Sequence, residues 1–310
     1  MFGLLRDTFR EWSEDGANRL AAALAYYTTF SLAPLLVLVI AIAGLVGGRD
    51  AAQTQTMAQV EDLLGAEGRE FVQEMIETAS RPQTGWTATL IGAVTLLFGA
   101  LGVFAELQNS LNTIWEVKPK PATGLLDGVR RFVVKRLVSF TMVLGIGFLL
   151  LASLVISAAL SALGEYIGTR WPLADFWLSV INFLISFVVI TFLFAMIFKF
   201  LPEIQIAWKD VWLGAAVTSA LFTLGKFLIG LYLGRSEVGT NFGAAGSLAI
   251  LLIWIYYSAQ ILFFGAEFTQ VYANRYGSKI IPDPGMVKIT EQERAQKGIP
   301  HQETMEKAKR

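Results

Sequence analysis

The chain has 310 residues, of which 54% are hydrophobic and 16% charged, and its mean hydropathy of +0.53 excludes an ordinary water-soluble domain. Lys plus Arg and Asp plus Glu both total 25, and a net charge of zero argues against a nucleic-acid binder. With no Cys and a single His, His301 in a polar tail, disulfides, thiolate metal sites and a His-based triad in the folded part are excluded, so no catalytic residue, metal site or cofactor is expected.

In residues 1–19, Phe2, Leu5, Phe9 and Trp12 recur at i, i+3, i+7 and i+10. That spacing predicts an amphipathic helix, either interfacial on the inner leaflet or packed on protein. No small-residue cleavage site follows a short apolar core, so this start does not read as a cleavable signal peptide.

Crossing roughly 30 Å of hydrocarbon takes about 20 apolar residues. Uncharged runs of that order occupy Leu20 to Val46, Pro82 to Ala105, Leu137 to Gly164, Phe176 to Phe198 and Val238 to Ala266, and a sixth, Val211 to Leu233, is interrupted only by Lys226. They lack the alternation of barrel strands, and lipid cannot satisfy exposed backbone groups. The expectation is an all-α polytopic bundle over residues 20–276, with six spans at about 20–46, 86–108, 137–163, 176–201, 211–233 and 245–270.

The connection after the first span places Met57, Val60, Leu64, Phe71 and Met75 at helical spacing among Glu61, Asp62, Glu67, Glu70, Glu74 and Glu77. This predicts a helical first external loop, broken at Gly65 and Gly68, with an acidic face that is either solvated or open to a cationic ligand. The next connection carries Lys118, Lys120, Arg130, Arg131, Lys135 and Arg136. Of these, Arg130, Arg131, Lys135 and Arg136 are candidates for contact with anionic lipid heads, and positive-inside anchoring accounts for them equally. Arg6, Arg10, Arg19, Lys199, Lys209, Arg275 and the basic residues after it fall on the same side, against Arg49, Arg69, Arg81, Arg170 and Arg235 on the other. The crowded side is expected to be cytoplasmic, with both termini there. Residues 277–310 hold no apolar stretch able to bury a helix face, and a mobile polar tail is expected.

Within the spans, Pro34 should kink the first helix, which also carries Tyr26 and Tyr27. A charge near the bilayer centre costs roughly 3 kcal/mol or more unless paired, snorkelled or wetted, which singles out Lys226, with Asn182 a neighbour at similar depth. Glu106, Lys199 and Glu267 fall at cytoplasmic span ends, where Lys199 is expected to pair with either carboxylate. With Gln108, Asn109, Asn112 and Gln260 they form either structural ties or the inner mouth of a polar cavity.

Three segments carry a family resemblance: ANRLAAALAYYTTFSLAPLL, ELQNSLNTIWEV and GSLAILLIWIYYSAQILFFGAEFTQ, with Leu201-Pro202, Asp210 and Gly214 between them. Together they resemble the YihY/BrkB family, although Phe242 stands where that pattern has Tyr. The resemblance implies a multi-pass protein of the bacterial inner membrane, linked to serum resistance or to export of envelope lipid or lipopolysaccharide. It also brings an older label, ribonuclease BN, which the residues do not support: hydrolysing RNA needs a metal cluster or acid/base pair facing a basic groove, and the only His, His301, is in the tail. No GxxxxGK[ST] loop is present either, so ATP would have to come from a partner.

The expected function is a transporter or flippase for a lipid or other amphiphile, not an enzyme. A noncatalytic membrane scaffold or assembly partner is the alternative. Membrane lipids are the expected partners, with a homo-oligomer or an envelope-assembly protein left open and nucleic acid excluded.

Overall fold

The computed structural model describes residues 2–80, 86–121, 174–233 and 244–296, together with 128, 137, 141, 145, 299 and 301. The span expected at 137–163 therefore lies outside the described residues except for Leu137, Thr141 and Gly145, as do Arg130, Arg131, Lys135, Arg136 and Phe242.

Helix α1 (Phe2–Glu14) meets α2 (Ala17–Gly47) at a turn through Asp15 and Gly16. The long helix α2 continues through Pro34 and ends where Gly48, at φ 86°, donates its N–H to Gly44 O. That left-handed φ suits a residue without Cβ and turns the chain into α3 (Arg49–Ala79). A single interior break in α3 lies at Gly65, φ 77°, so the connection after the first span is a helical element bent once. Its apolar face is not left in solvent. Met57, Leu64, Val72 and Ile76 pack with Ile40 and Ala43 of α2 into a cluster completed by Leu251 and Trp254. The acidic face stays exposed, with Arg69 Nη1 bonding Glu61 Oε2 at 2.6 Å across the bend.

Helix α4 (Trp86–Ile114) packs against α2 and leads into β1 (Val117–Pro119). Then come α5 (Ala174–Phe200), β2 (Ile204–Gln205), α6 (Trp208–Leu233) and α7 (Ala244–Arg275). Among the described residues, four helical stretches are long and apolar enough to cross a membrane: Ala17–Leu45, Phe183–Phe200, Trp208–Ile229 and Gly246–Arg275. Phe30, Phe183, Leu184, Val188, Phe227 and Leu228 on these helices are exposed. A water-soluble bundle would bury such side chains, whereas hydrocarbon solvates them.

Helices α6 and α7 run antiparallel in close contact: Gly214 faces Thr269, Gly265 faces Thr218 and Gly225 faces Tyr257. The larger core lies towards the end of the bundle where the termini meet, joining Ala21 and Leu24 of α2, Leu111 and Ile114 of α4, Phe198 of α5 and Phe263 of α7.

The tail departs from the mobile segment expected of it. β3 (Ile281–Pro282) pairs antiparallel with β2, and β4 (Met286–Lys288) pairs with β1 in the register Val117↔Lys288. A short helix, α8 (Glu291–Gln296), follows. Ile280, Met286, Ile289 and Ile299 are buried. Single apolar residues spaced along a polar segment cannot form a helix face, but they can each plug a gap in a surface built by other helices. Among the described residues the fold is therefore helical with two small β ribbons rather than strictly all-α.

Candidate functional site

The polar residues at the termini end divide into structural ties and a buried charge cluster. Gln108 Nε2 donates to Leu201 O at 2.9 Å. Asn112 binds Glu203 twice, its Nδ2 donating to Oε2 at 2.8 Å and its Oδ1 accepting from the backbone N–H at 2.9 Å. Both clamp α4 to the loop after α5. Lys199 does not form the expected ion pair with Glu106 or Glu267; it donates to Ile206 O at 2.5 Å and lies 5.7 Å from the Trp208 ring centre. The bend after α5 brings a backbone carbonyl and an aromatic face to Lys199, and the carboxylates sit on other helices. Asn109 is exposed and Glu106 half-buried.

Tyr26 and Tyr27 point outward on α2, with Tyr26 against Phe30. Pro34 packs on Gly99 of α4, where an added Cβ would come within 3.1 Å of the ring. Lys226 is half-buried on α6, and Asn182 lies on α5 with its side chain outside the described residues. Glu267 is fully buried, and neither carboxylate oxygen has a hydrogen-bond partner.

A cluster that sequence reasoning missed forms where the two ends of the chain meet. Arg294, 1% exposed, donates Nη2 to Asp15 Oδ1 at 2.5 Å and Nη1 to Glu116 Oε1 at 3.0 Å. His301 touches Glu291 through Nδ1, and its Nε2 lies 3.1 Å from Glu116 and 3.5 Å from Glu11. Glu11, Glu14 and His301 place ligand-type atoms within 4.8 Å of one another. Burial pushes the Asp15 carboxyl up to about 7, although Arg294 pulls it back. Burial and Arg294 work against a charged His301, but the Glu291 and Glu116 carboxylates outweigh them and raise its pKa. No periodicity or motif connects Asp15 with Arg294. The one local mark is Glu116, a non-glycine residue at φ 55°.

A second feature is a cavity of about 270 Å³ between α1, α6 and α7, whose walls include Phe9, Trp12, Leu221, Leu224, Tyr257 and Gln260. Among the expected pathway residues whose side chains are described, Gln260 is the one that reaches it. Its Nε2 donates to Asn18 Oδ1 at 2.8 Å, while its Oε1 and the Trp12 indole N–H are buried without a partner. Helix α1 packs along α7, with Leu4 and Thr8 buried and Leu5 and Phe9 exposed.

Comparison with known proteins gives a consistent assignment. A family described as Virulence factor BrkB matches residues 8–287. The chain is 24% identical over 259 residues to a UPF0761 membrane protein of Alcanivorax borkumensis, covering 83% of this chain and 57% of that protein. It is 28% identical over 270 residues to a UPF0761 membrane protein of Albidiferax ferrireducens, covering 84% and 60%. A Psychrobacter UPF0761 membrane protein is 24% identical over 285 residues, with coverage of 91% and 50%. The chain thus spans about half to three-fifths of the length of these curated relatives. No solved structure matches it. With apolar helices of membrane length and a family match that runs from α1 to β4, the chain belongs to the Virulence factor BrkB family of membrane proteins.

Proposed function

We propose that this chain is a six-span protein of the bacterial inner membrane, with both termini cytoplasmic, that moves a lipid or other amphiphile during envelope biogenesis and is not an enzyme. The observation that supports this reading is the apolar cavity beside Gln260, walled by two membrane-length helices and by the aromatic side chains of α1. A side pocket between spans gives a hydrocarbon chain a place on the protein without crossing water. In the proposed orientation α1 lies at the inner leaflet, where Leu5 and Phe9 meet lipid. Lys226, half-buried on α6, is a candidate for guiding a polar headgroup.

The test is movement of fluorescent phospholipid between leaflets of liposomes holding the purified protein. Transfer faster than in empty vesicles, reduced by Lys226→Ala, is expected; a rate equal to empty vesicles would sink the reading.

A second reading, a noncatalytic scaffold for envelope assembly, draws on a different observation. Gln108, Asn112 and Lys199 are all spent on internal ties, and Gly214 and Gly265 hold α6 tightly to α7. A static platform needs such rigidity, and it would leave lipid transfer at the empty-vesicle rate.

A further inference from the structure

The single histidine of the chain lies in the folded tail, with one ring nitrogen fixed and the other turned towards carboxylates. His301 Nδ1 is bonded to Glu291, and its Nε2 lies 3.1 Å from Glu116 and 3.5 Å from Glu11. A carboxylate on Nδ1 sets the ring orientation and the tautomer and leaves Nε2 as the ligating nitrogen, which is how metal-binding histidines are held. A solvated acidic patch has neither the imidazole nor its orienting partner.

Helix α1 supplies the other donors. Glu11 and Glu14, three residues apart, project from one side of the helix. One oxygen of each and one nitrogen of His301 lie within 4.8 Å of one another. Donors around a tetrahedral zinc ion, at bonds of about 2.0–2.1 Å, sit roughly 3.3 Å apart, so rotation of the side chains closes the group. The Glu14 side chain is 5% exposed, whereas those of Glu11 and His301 are 20% and 26% exposed, so an ion reaches the group past Glu11 and His301. Arg10 is a cation already beside it, with Nη2 3.2 Å from Glu11 Oε1 and Nε 3.9 Å from Glu14 Oε1. Its hydrogen bond is to Glu11 Oε1, and the oxygen that faces His301 is Oε2. Next to the group, Asp15, Glu116 and Glu291 surround the one guanidinium of Arg294, an excess of acidic groups that favours a further cation.

We infer that Glu11, Glu14 and His301 bind one divalent transition-metal ion, with zinc the best match to the donors, and that the ion ties α1 to the tail. One imidazole nitrogen with two carboxylate oxygens suits zinc, whereas magnesium and calcium take oxygen ligands. Glu116 Oε1 is engaged by Arg294 Nη1 at 3.0 Å, so water completes the coordination. Because the ligands come from opposite ends of the chain, the ion binds only when the tail is docked and holds it there. This inference stands apart from the lipid-handling reading.

Calorimetric titration with zinc tests this, on the full chain in detergent at neutral pH, purified without a polyhistidine tag and stripped with EDTA. One zinc ion per chain is expected, bound at least about tenfold more tightly than magnesium or calcium. The chain has one His and no Cys, so zinc is also expected to shift the single histidine ring resonance. Glu14→Gln and His301→Ala are each expected to weaken binding by about tenfold or more, and Glu291→Ala, which frees the ring but removes no ligand, by about 10–100-fold. At about ten times Kd, zinc is expected to slow amide exchange through local opening about tenfold in both α1 and residues 286–296. No bound zinc, equal affinity for magnesium, a histidine resonance that stays in place, or binding unchanged in His301→Ala each overturns the inference. Slower exchange in only one of the two segments overturns the tie between them. If His301→Ala loosens the tail, Glu14→Gln and the ring resonance of the unaltered protein still decide the question. Neither outcome bears on lipid movement between leaflets, so either reading can fail alone.

Discussion

Arg294 Nη2 donates to Asp15 Oδ1 at 2.5 Å with both side chains at most 2% exposed, so the tail helix α8 is locked to the joint between α1 and α2. The same guanidinium reaches Glu116 just beyond α4. One side chain therefore holds together three segments that are far apart in sequence.

Removing that side chain leaves the buried Asp15 carboxylate without its counter-ion. Arg294→Ala is expected to cost about 3–5 kcal/mol, the range for breaking a buried pair from one side. The loss should appear as faster amide exchange and protease cleavage across 286–296, with α6 and α7 unaffected. Unchanged protection of β4 would show that the ribbon, not the ion pair, holds the tail.

The same cluster sets a pH dependence. Asp15 has a folded pKa of about 7, raised from 3.8 mainly by burial, so its contribution is complete below the unfolded value and is lost as pH rises towards 7. His301 is also raised, and its contribution, facing Glu11, Glu116 and Glu291 with Arg294 nearby, is lost as pH rises above its ordinary value of 6.5. Glu291 acts in the opposite direction. Burial raises its pKa, but the hydrogen bonds and charge of His301, with Arg294, together outweigh burial and hold it below 4.5, so its share is lost as pH falls through that region. Exchange of residues 286–296, corrected for intrinsic rates, is expected to be slower at pH 6 than at pH 8. The reverse order would contradict the assignment.

The α6–α7 contact has no room for a methyl group. A Cβ at Gly214 would lie 1.8 Å from Thr269 Oγ1, and one at Gly265 would lie 1.9 Å from Thr218 Oγ1. Gly214→Ala is expected to destabilise the protein by about 1–3 kcal/mol through overpacking, and the added Thr269→Ala should restore much of that. Thermal unfolding in detergent reads both, and a double variant no more stable than Gly214→Ala would place the clash elsewhere.

Sidedness can be probed against a clean background because the chain has no Cys. Position 120 is exposed next to β1. Lys120→Cys is expected to react with a membrane-impermeant maleimide only after the inner membrane is opened. Labelling in cells with an intact inner membrane but a permeabilised outer one would invert the proposed orientation.

Some of these features are legible in the sequence and others are not. The apolar runs behind α2, α5, α6 and α7 declare themselves, because crossing hydrocarbon is a demand on consecutive residues. The spacing of Met57, Leu64 and Val72 also reveals a helix after the first span, and Gly65 its bend. The residues expected to line an inner mouth are recognisable as polar groups near span ends, but their use is not: Gln108, Asn112 and Lys199 each bond to the loop between α5 and α6. Gln260 alone reaches the cavity, and its neighbour there, Trp12, belongs by its spacing to an aromatic stripe that gives no hint of a cavity wall.

By itself the sequence determined that this is a helical membrane protein, and which residues form the long helices, because hydrophobic length and helical period are local properties of the chain. Only the tertiary structure decided that a charged tail would fold. Burying Arg294 is unfavourable until Asp15 and Glu116 arrive from elsewhere, and the sequence near Arg294 contains no sign of them. The cavity is likewise a property of three helices together, since its walls come from α1, α6 and α7.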